Sequence, residues 1–420
     1  MIILSITILL FFLLFVYYHT KKRTLIVFLF GIYLLSFLST LLLNRHEPQT
    51  HIYWLPSFYL IFILFLWFFP FKNIQPNALT TIQYKRKKAQ NLMLIIGSFS
   101  LIALIFFSYY SYKLFTSLDL TYARDIIQEE AFLPSGPLTA FLVIVSSLYF
   151  VNLFLFFFSL KEKYSKLYPI LMLVSSLSFP FMVLCYFGRD GALYWVANFI
   201  VLYFLFNKIL LKNVIRKTKR IAFIILAALF TIFFIVTISR FGNDFQRTYV
   251  ALLSYSGQQF QNFSEAYSIK TSTYRLLPGC KRILIKIGVL EEVDLEEITK
   301  IRKEQAGEEY NVFGFFVKDF IWSIGRFWTV VLSLIVCFLT FRLSQTFLKK
   351  RRLEDFILLF TIFQIPMNGV FYYRQSVSYM DVGILLCVLV YLAFKVFVDK
   401  NKLKSIFIRL GERKETHKNN

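Results

Sequence analysis

Acidic side chains are scarce in this sequence: 24 Asp and Glu stand against 47 Lys and Arg, a formal net charge of +23. Cysteine is scarcer. Cys185, Cys280, Cys337 and Cys387 form no CxxC pair, and three lie in or beside apolar runs, which argues against a zinc site or a disulfide framework. His46 and His51 miss a zinc-protease spacing by one residue, and His19 and His417 complete no ligand set. Walker A, HExxH, GxSxG and DxD patterns are missing. ATP-driven transport, zinc proteolysis and metal-dependent transfer from nucleotide sugars therefore lack support, and no metal or cofactor is expected. Internal repeats are absent too, as is the roughly 10-residue alternation of a membrane barrel.

What is present is apolar. Hydrophobic residues make up 57% of the 420, with 52 Phe, and the mean hydropathy is +0.61. Soluble domains are less apolar than this. The apolar residues fall in blocks of roughly 17–23, each long enough to cross a hydrocarbon core of about 30 Å. Only a helix satisfies the backbone of such a block from within. The expectation is an all-α polytopic membrane protein of about eleven transmembrane helices. The spans fall at 1–18, 24–43, 52–71, 92–112, 137–160, 169–187, 191–210, 221–238, 327–347, 356–372 and 382–398. The first lacks a basic leader and a small-residue cleavage site, so it reads as a retained span.

Charge supplies an orientation. Lys21 to Arg23, Lys85 to Lys88, Lys161 to Lys166, Arg216 to Arg220 and Lys349 to Arg352 follow the odd-numbered spans, whereas the short even-numbered connections carry one or two basic residues each. Lys and Arg gather in cytoplasmic loops. The N-terminus is therefore expected outside, and the basic tail 399–420 in the cytoplasm. The positive charge is thus accounted for by membrane topology, and nucleic acid is not an expected partner. Four parts follow: a membrane domain over 1–238, a long outer loop over 239–326, a membrane domain over 327–398, and the tail. In the loop, Glu291 to Glu309 reads as a charged helix. Residues 311–326, broken by Gly314 and Gly325, read as a re-entrant or surface-lying segment.

Charges on the less basic side need a reason. In Phe187-Gly188-Arg189-Asp190-Gly191, the glycines suit a hairpin whose tip carries an Arg-Asp pair. That pair is either an ion pair that sets the turn or part of a site. In Ser239 to Arg247, a helix would align Arg240, Asp244 and Arg247 on one face, either self-paired in solvent or aimed at a ligand. The run from Tyr255 through Gln258, Gln259 and Asn262 to Phe263 mixes rings and amides, a chemistry suited to sugars but also common at membrane interfaces. Arg124, Arg275, Arg326 and Arg374 complete the set. Each alone can serve as an interfacial anchor. Together they suit phosphate or pyrophosphate oxygens, which the guanidinium fork matches.

At these residues the chain resembles the Wzy-type oligosaccharide repeat-unit polymerases, the O-antigen and capsular polysaccharide polymerases of bacteria. The likeness rests on Gly188-Arg189-Asp190-Gly191 opening a span, on Tyr255 to Phe263, on Phe313-Gly314-Phe315 to Arg326, and on the layout of spans and loops. It implies a GT-C-like glycosyltransferase of the bacterial cytoplasmic membrane. Such an enzyme moves a glycan from undecaprenyl pyrophosphate onto another lipid-linked unit at the outer face, without metal. Flippase and chain-length regulator proteins would be partners, along with membrane lipid. Arg189, Asp190, Arg240, Asp244 and Arg247 would be catalytic, and Arg124, Tyr255, Gln258, Gln259, Asn262, Arg275, Arg326 and Arg374 would bind substrate. An O-antigen ligase-like enzyme and a polysaccharide flippase remain alternatives.

Overall fold

Because a segment in lipid must meet its own backbone hydrogen bonds, the long apolar runs leave helix as the only economical conformation. The computed structural model describes residues 2–46, 53–117, 133–134, 136–186, 188, 190–241, 245–268, 314–372 and 380–398. Among them are helices α1 (Ile2–Thr20), α2 (Thr24–His46), α3 (Trp54–Phe68), α4 (Arg86–Ser117), α5 (Pro137–Ser146), α6 (Tyr149–Lys161), α7 (Leu167–Ser176) and α8 (Ser178–Leu184). These are followed by α9 (Asp190–Phe206), α10 (Lys212–Phe241), α11 (Phe245–Gly257), α12 (Gln259–Ser268), α13 (Phe315–Lys350), α14 (Leu353–Asn368) and α15 (Met380–Val398). No strand occurs among the described residues beyond an isolated bridge from Gln83 to Arg352.

Among the described residues, six stretches are long and apolar enough to cross a membrane, seven if the pair α5–α6, bent by 46°, is one span. Asp190–Phe206 and Val382–Leu392 are apolar but shorter. Ile6, Leu9, Leu13 and Val16 of α1 are exposed at helical spacing, as are Ile95, Phe99, Ile102 and Ile105 of α4. Water would disfavour such continuous apolar stripes, whereas hydrocarbon accommodates them. The protein is therefore a helical membrane protein.

One helix is enclosed on all sides. Every residue of α6 from Tyr149 to Ser159 is buried, the all-round apolar pattern of a central helix. Its polar groups tie the bundle together. Asn198 of α9 donates to the Tyr149 hydroxyl at 3.0 Å, Asn368 of α14 reaches the same oxygen at 3.5 Å, and Asn152 donates to Ser100 of α4 at 3.0 Å. Bonds of this kind hold helices together where lipid supplies no competing partner.

The basic connections gather at one end. Arg23 donates to the Asn73 carbonyl at 2.9 Å, and Gln83 exchanges backbone bonds with Arg351 and Leu353 at 2.7 and 3.1 Å. Tyr84 donates to Glu162 at 2.6 Å, and Arg86 lies over the Tyr164 ring. Burial, then its bond to Glu162, pushes the Tyr84 phenol well above its ordinary pKa. The connections after α1, α3, α6 and α13 thus touch one another, as an alternating bundle requires. At the opposite end the Tyr53 amide donates to Ser264 at 3.0 Å.

Helix α13 is two arms. Gly325 has φ 83° and ψ 165°, a conformation almost confined to glycine. Trp67 meets Phe316 and Phe320 from the first arm, and donates to Ser333 in the second at 3.1 Å. In one straight helix, residues 316 and 333 would be about 25 Å apart, too far for one indole. The chain therefore turns back at Gly325. Gly325→Ala should cost about 1–3 kcal/mol, read as a lower melting midpoint of the purified protein in detergent.

The first arm, 315–324, is enclosed, with Phe315 between Tyr33 and Phe37 of α2. Its opening amides do not go unmet. Gly314 and Phe315 donate to the Phe371 carbonyl at 2.9 and 3.1 Å, and Phe316 donates to the Gly369 carbonyl at 2.8 Å. The start of one broken helix thus faces the end of another, and each end's orphan groups satisfy the other's. Irregular backbone is tolerated here because protein encloses it.

Candidate functional site

The end away from the basic connections brings together three groups of the residues singled out by sequence. The first is the reversal into α9. Val183 approaches so closely that an added Cβ at Gly188 or Gly191 would lie 2.7 Å from its side chain, so both positions exclude larger residues. Asp190 opens α9, and Tyr372, from just beyond α14, donates to its Oδ2 at 2.9 Å. Arg189 lies outside the described residues.

The second is the joint between α11 and α12. Gly257 lies directly on the α2 backbone: an added Cβ would lie 2.7 Å from the Ser39 carbonyl and 2.8 Å from the Thr40 nitrogen. Thr40 donates to the Gly257 carbonyl at 2.6 Å, and Ser36 donates to the Ser256 carbonyl at 2.9 Å. Gln259 is fully buried. Its amide donates to the Tyr255 carbonyl and accepts from Ser36 at 3.3 Å, so its hydrogen-bonding groups serve the joint. Gln258 accepts from Ser254 at 3.1 Å. Gln258, Asn262 and Tyr255 are partly exposed.

The third is Arg326, at the head of the second arm of α13. Its guanidinium sits over the Tyr267 ring, 4.3 Å from the centroid, and its carbonyl accepts from the Tyr59 hydroxyl at 2.7 Å. Stacking of this kind holds the planar fork at one angle.

Of the remaining candidates, Arg240 lies at the end of α10 and Arg247 in the first turn of α11, with their side chains outside the described set. Asp244, between them, lies outside it as well. So do Arg124, Arg275, Arg374 and the segment from Glu291 to Glu309. Among the described residues, no three of His, Cys, Asp and Glu come together as a metal would need.

The structure adds a residue that sequence reasoning passed over. Lys318, in the first arm of α13, is 1% exposed, with its ammonium over the Trp322 ring at 4.6 Å and its chain packed against Gly314. Burying a lysine is costly, and ionisable residues at such depth are commonly functional. The available signal was its place in Phe316-Val317-Lys318-Asp319-Phe320, a pair of opposite charges inside an aromatic half-helix. One strand of backbone connects it to the carboxylate. Tyr372 bonds Asp190, and the adjacent Phe371 carbonyl receives the Gly314 amide. Compared with protein families, with curated proteins and with solved structures, the chain finds no match.

Proposed function

We propose that this protein polymerises oligosaccharide repeat units carried on undecaprenyl pyrophosphate, for an O-antigen or capsular polysaccharide, at the outer face of the bacterial cytoplasmic membrane. The observation that carries the reading is the junction of Asp190, Tyr372 and the foot of the Lys318 arm, at the end away from the basic connections. By the positive-inside rule that end is the outer one. This reading keeps eleven spans in a GT-C-like arrangement, with the N-terminus outside and the tail in the cytoplasm.

In the reaction, an acceptor hydroxyl oxygen bonds to the anomeric carbon of the donor glycan. The bond from that carbon to the pyrophosphate breaks, and the lipid pyrophosphate leaves with the electron pair. The hydroxyl proton passes to the Asp190 carboxylate, a general base oriented by Tyr372. Negative charge grows on the leaving diphosphate, and Arg326 would be the guanidinium that receives it. Lys318, buried over the Trp322 ring, would help position the half-helix that meets Phe371, the neighbour of Tyr372. Arg189, Arg240 and Arg247 would add further guanidiniums. Tyr255, Gln258 and Asn262 would contact the glycan.

Deleting the gene in its host should abolish the ladder of long chains while single repeat units still reach the surface. Accumulation of full-length lipid-linked polymer would point instead to a ligase, and loss of all surface glycan to a flippase. In complemented cells, Arg326→Ala should slow chain extension about 10- to 100-fold, the scale of one charge-assisted contact. Arg326→Lys should not restore it, because an ammonium cannot reproduce the stacked fork.

A further inference from the structure

A cavity at the basic end plays no part in the proposed reaction. Residues of α1, α2, the turn between them, and the end of α9 with the segment just past it line an open-sided cavity of about 810 Å³, within the roughly 300–1,000 Å³ typical of small-molecule sites. Phe15, Val27, Ile32, Leu35 and Phe204 give it apolar walls. Lys22, Arg23 and Lys208 stand at its polar margin, and none of the residues lining it is acidic. An apolar slot with an unopposed cationic margin matches an amphiphile whose head is anionic.

Two further observations concern the head. Asn207 lines the cavity, and its side-chain oxygen is buried with no hydrogen-bond partner. A buried acceptor left unmet costs on the order of 1–3 kcal/mol, and a turn of the side chain toward the cavity would let an occupant's hydroxyl meet it. Lys22 holds a left-handed backbone with φ 57°, its amide bonded to the His19 carbonyl at 2.9 Å. A non-glycine residue adopts that conformation at some cost, and such strain is often retained at binding sites.

We propose that this cavity binds an anionic glycerophospholipid from the leaflet at the basic end, with one acyl chain against the apolar walls. Its phosphate lies among Lys22, Arg23 and Lys208, and a headgroup hydroxyl donates to Asn207. Basic pockets between membrane helices recognise lipid headgroups by this combination of fixed charge and apolar wall. The proposal stands apart from the polymerase reading, since it uses neither the same residues nor the same end of the bundle.

Native mass spectrometry of the full-length purified protein, titrated with defined lipids, tests it. Phosphatidylglycerol should bind one equivalent ahead of phosphatidylcholine. The pair Lys22→Gln and Lys208→Gln should weaken it about 25-fold, taking about fivefold per lysine near an anionic lipid. Lys349→Gln with Lys350→Gln, at the same end but away from the cavity, should leave it unchanged. Asn207→Leu should remove the preference for phosphatidylglycerol over phosphatidic acid, which lacks the glycerol hydroxyls. Melting midpoints of the variants separate lost binding from lost folding. Equal binding of phosphatidylcholine would overturn the proposal, as would an unchanged Lys22/Lys208 double variant that is still folded. Glycerol phosphate binding as tightly as the lipid would overturn it too, and would reassign the cavity to a soluble anion.

Discussion

Asp190→Asn is expected to reduce chain extension by about 10²- to 10⁴-fold, the contribution of a positioned general base. Asparagine has nearly the same size, and its side-chain oxygen can still accept from Tyr372, which now bonds Asp190 at 2.9 Å. What it cannot do is take the proton of an acceptor hydroxyl. Protein amount and melting midpoint should therefore stay close to the parent while extension of lipid-linked repeat units in isolated membranes fails. Tyr372→Phe leaves the carboxylate in place and removes the hydroxyl that orients it, so its loss should be smaller, about tenfold, the scale of one hydrogen bond. An Asp190→Asn protein that extends chains within tenfold of the parent rate would rule Asp190 out as the base, and attention would pass to Asp244.

The second large effect is structural. Gly257→Val should destabilise the protein by about 3 kcal/mol or more, the upper range for overpacking a rigid site. The obstacle at Gly257 is the α2 backbone at Ser39 and Thr40, which has no side-chain rotation with which to yield. To bring the added Cβ from 2.7 Å out to ordinary contact at 3.4 Å, α11 and α2 must separate. Separation stretches the Thr40 bond to Gly257 and the Ser36 bond to Ser256. Close crossings at a small residue are a main source of helix association in lipid, so little else would compensate. Thermal unfolding in detergent should show the fall for Gly257→Val and a lesser one for Gly257→Ala. Equal midpoints for all three proteins would mean that the crossing does not hold α11 and α12 in place.

The positions of the helices were legible because their cause is local. The runs expected at 24–43, 191–210 and 382–398 correspond to Thr24–His46, Asp190–Phe206 and Met380–Val398, since an apolar block of that length has few other fates. The breaks were less so. Gly325 is visible as a glycine in an aromatic run, but the bend between α5 and α6 falls in Val-Ser-Ser-Leu-Tyr, with neither Gly nor Pro. There the Ser147 hydroxyl donates to the Ile144 carbonyl at 2.6 Å, a local bond that competes with the helix. No periodicity announces it. The site was legible as a list of polar residues, not as an arrangement. Asp190 and Tyr372 meet across 182 positions, and Gln259 reads as a sugar contact until Ser36 is found beside it. Lys318 was hidden because a lysine beside Asp319 among aromatics resembles an interfacial anchor, and only burial distinguishes the two.

The meeting of the broken helix α13 with the end of α14 also sets an order of assembly. The amides of Gly314, Phe315 and Phe316 find their acceptors at Gly369 and Phe371, residues synthesised more than fifty positions later. Hydrocarbon offers those amides no substitute. The half-helix bearing Lys318 therefore cannot settle until α14 has been made and inserted beside it. The same late segment brings Tyr372 to Asp190. A partly synthesised chain can thus build much of its bundle in the membrane while the half-helix junction is still open, and the last helices to arrive complete it.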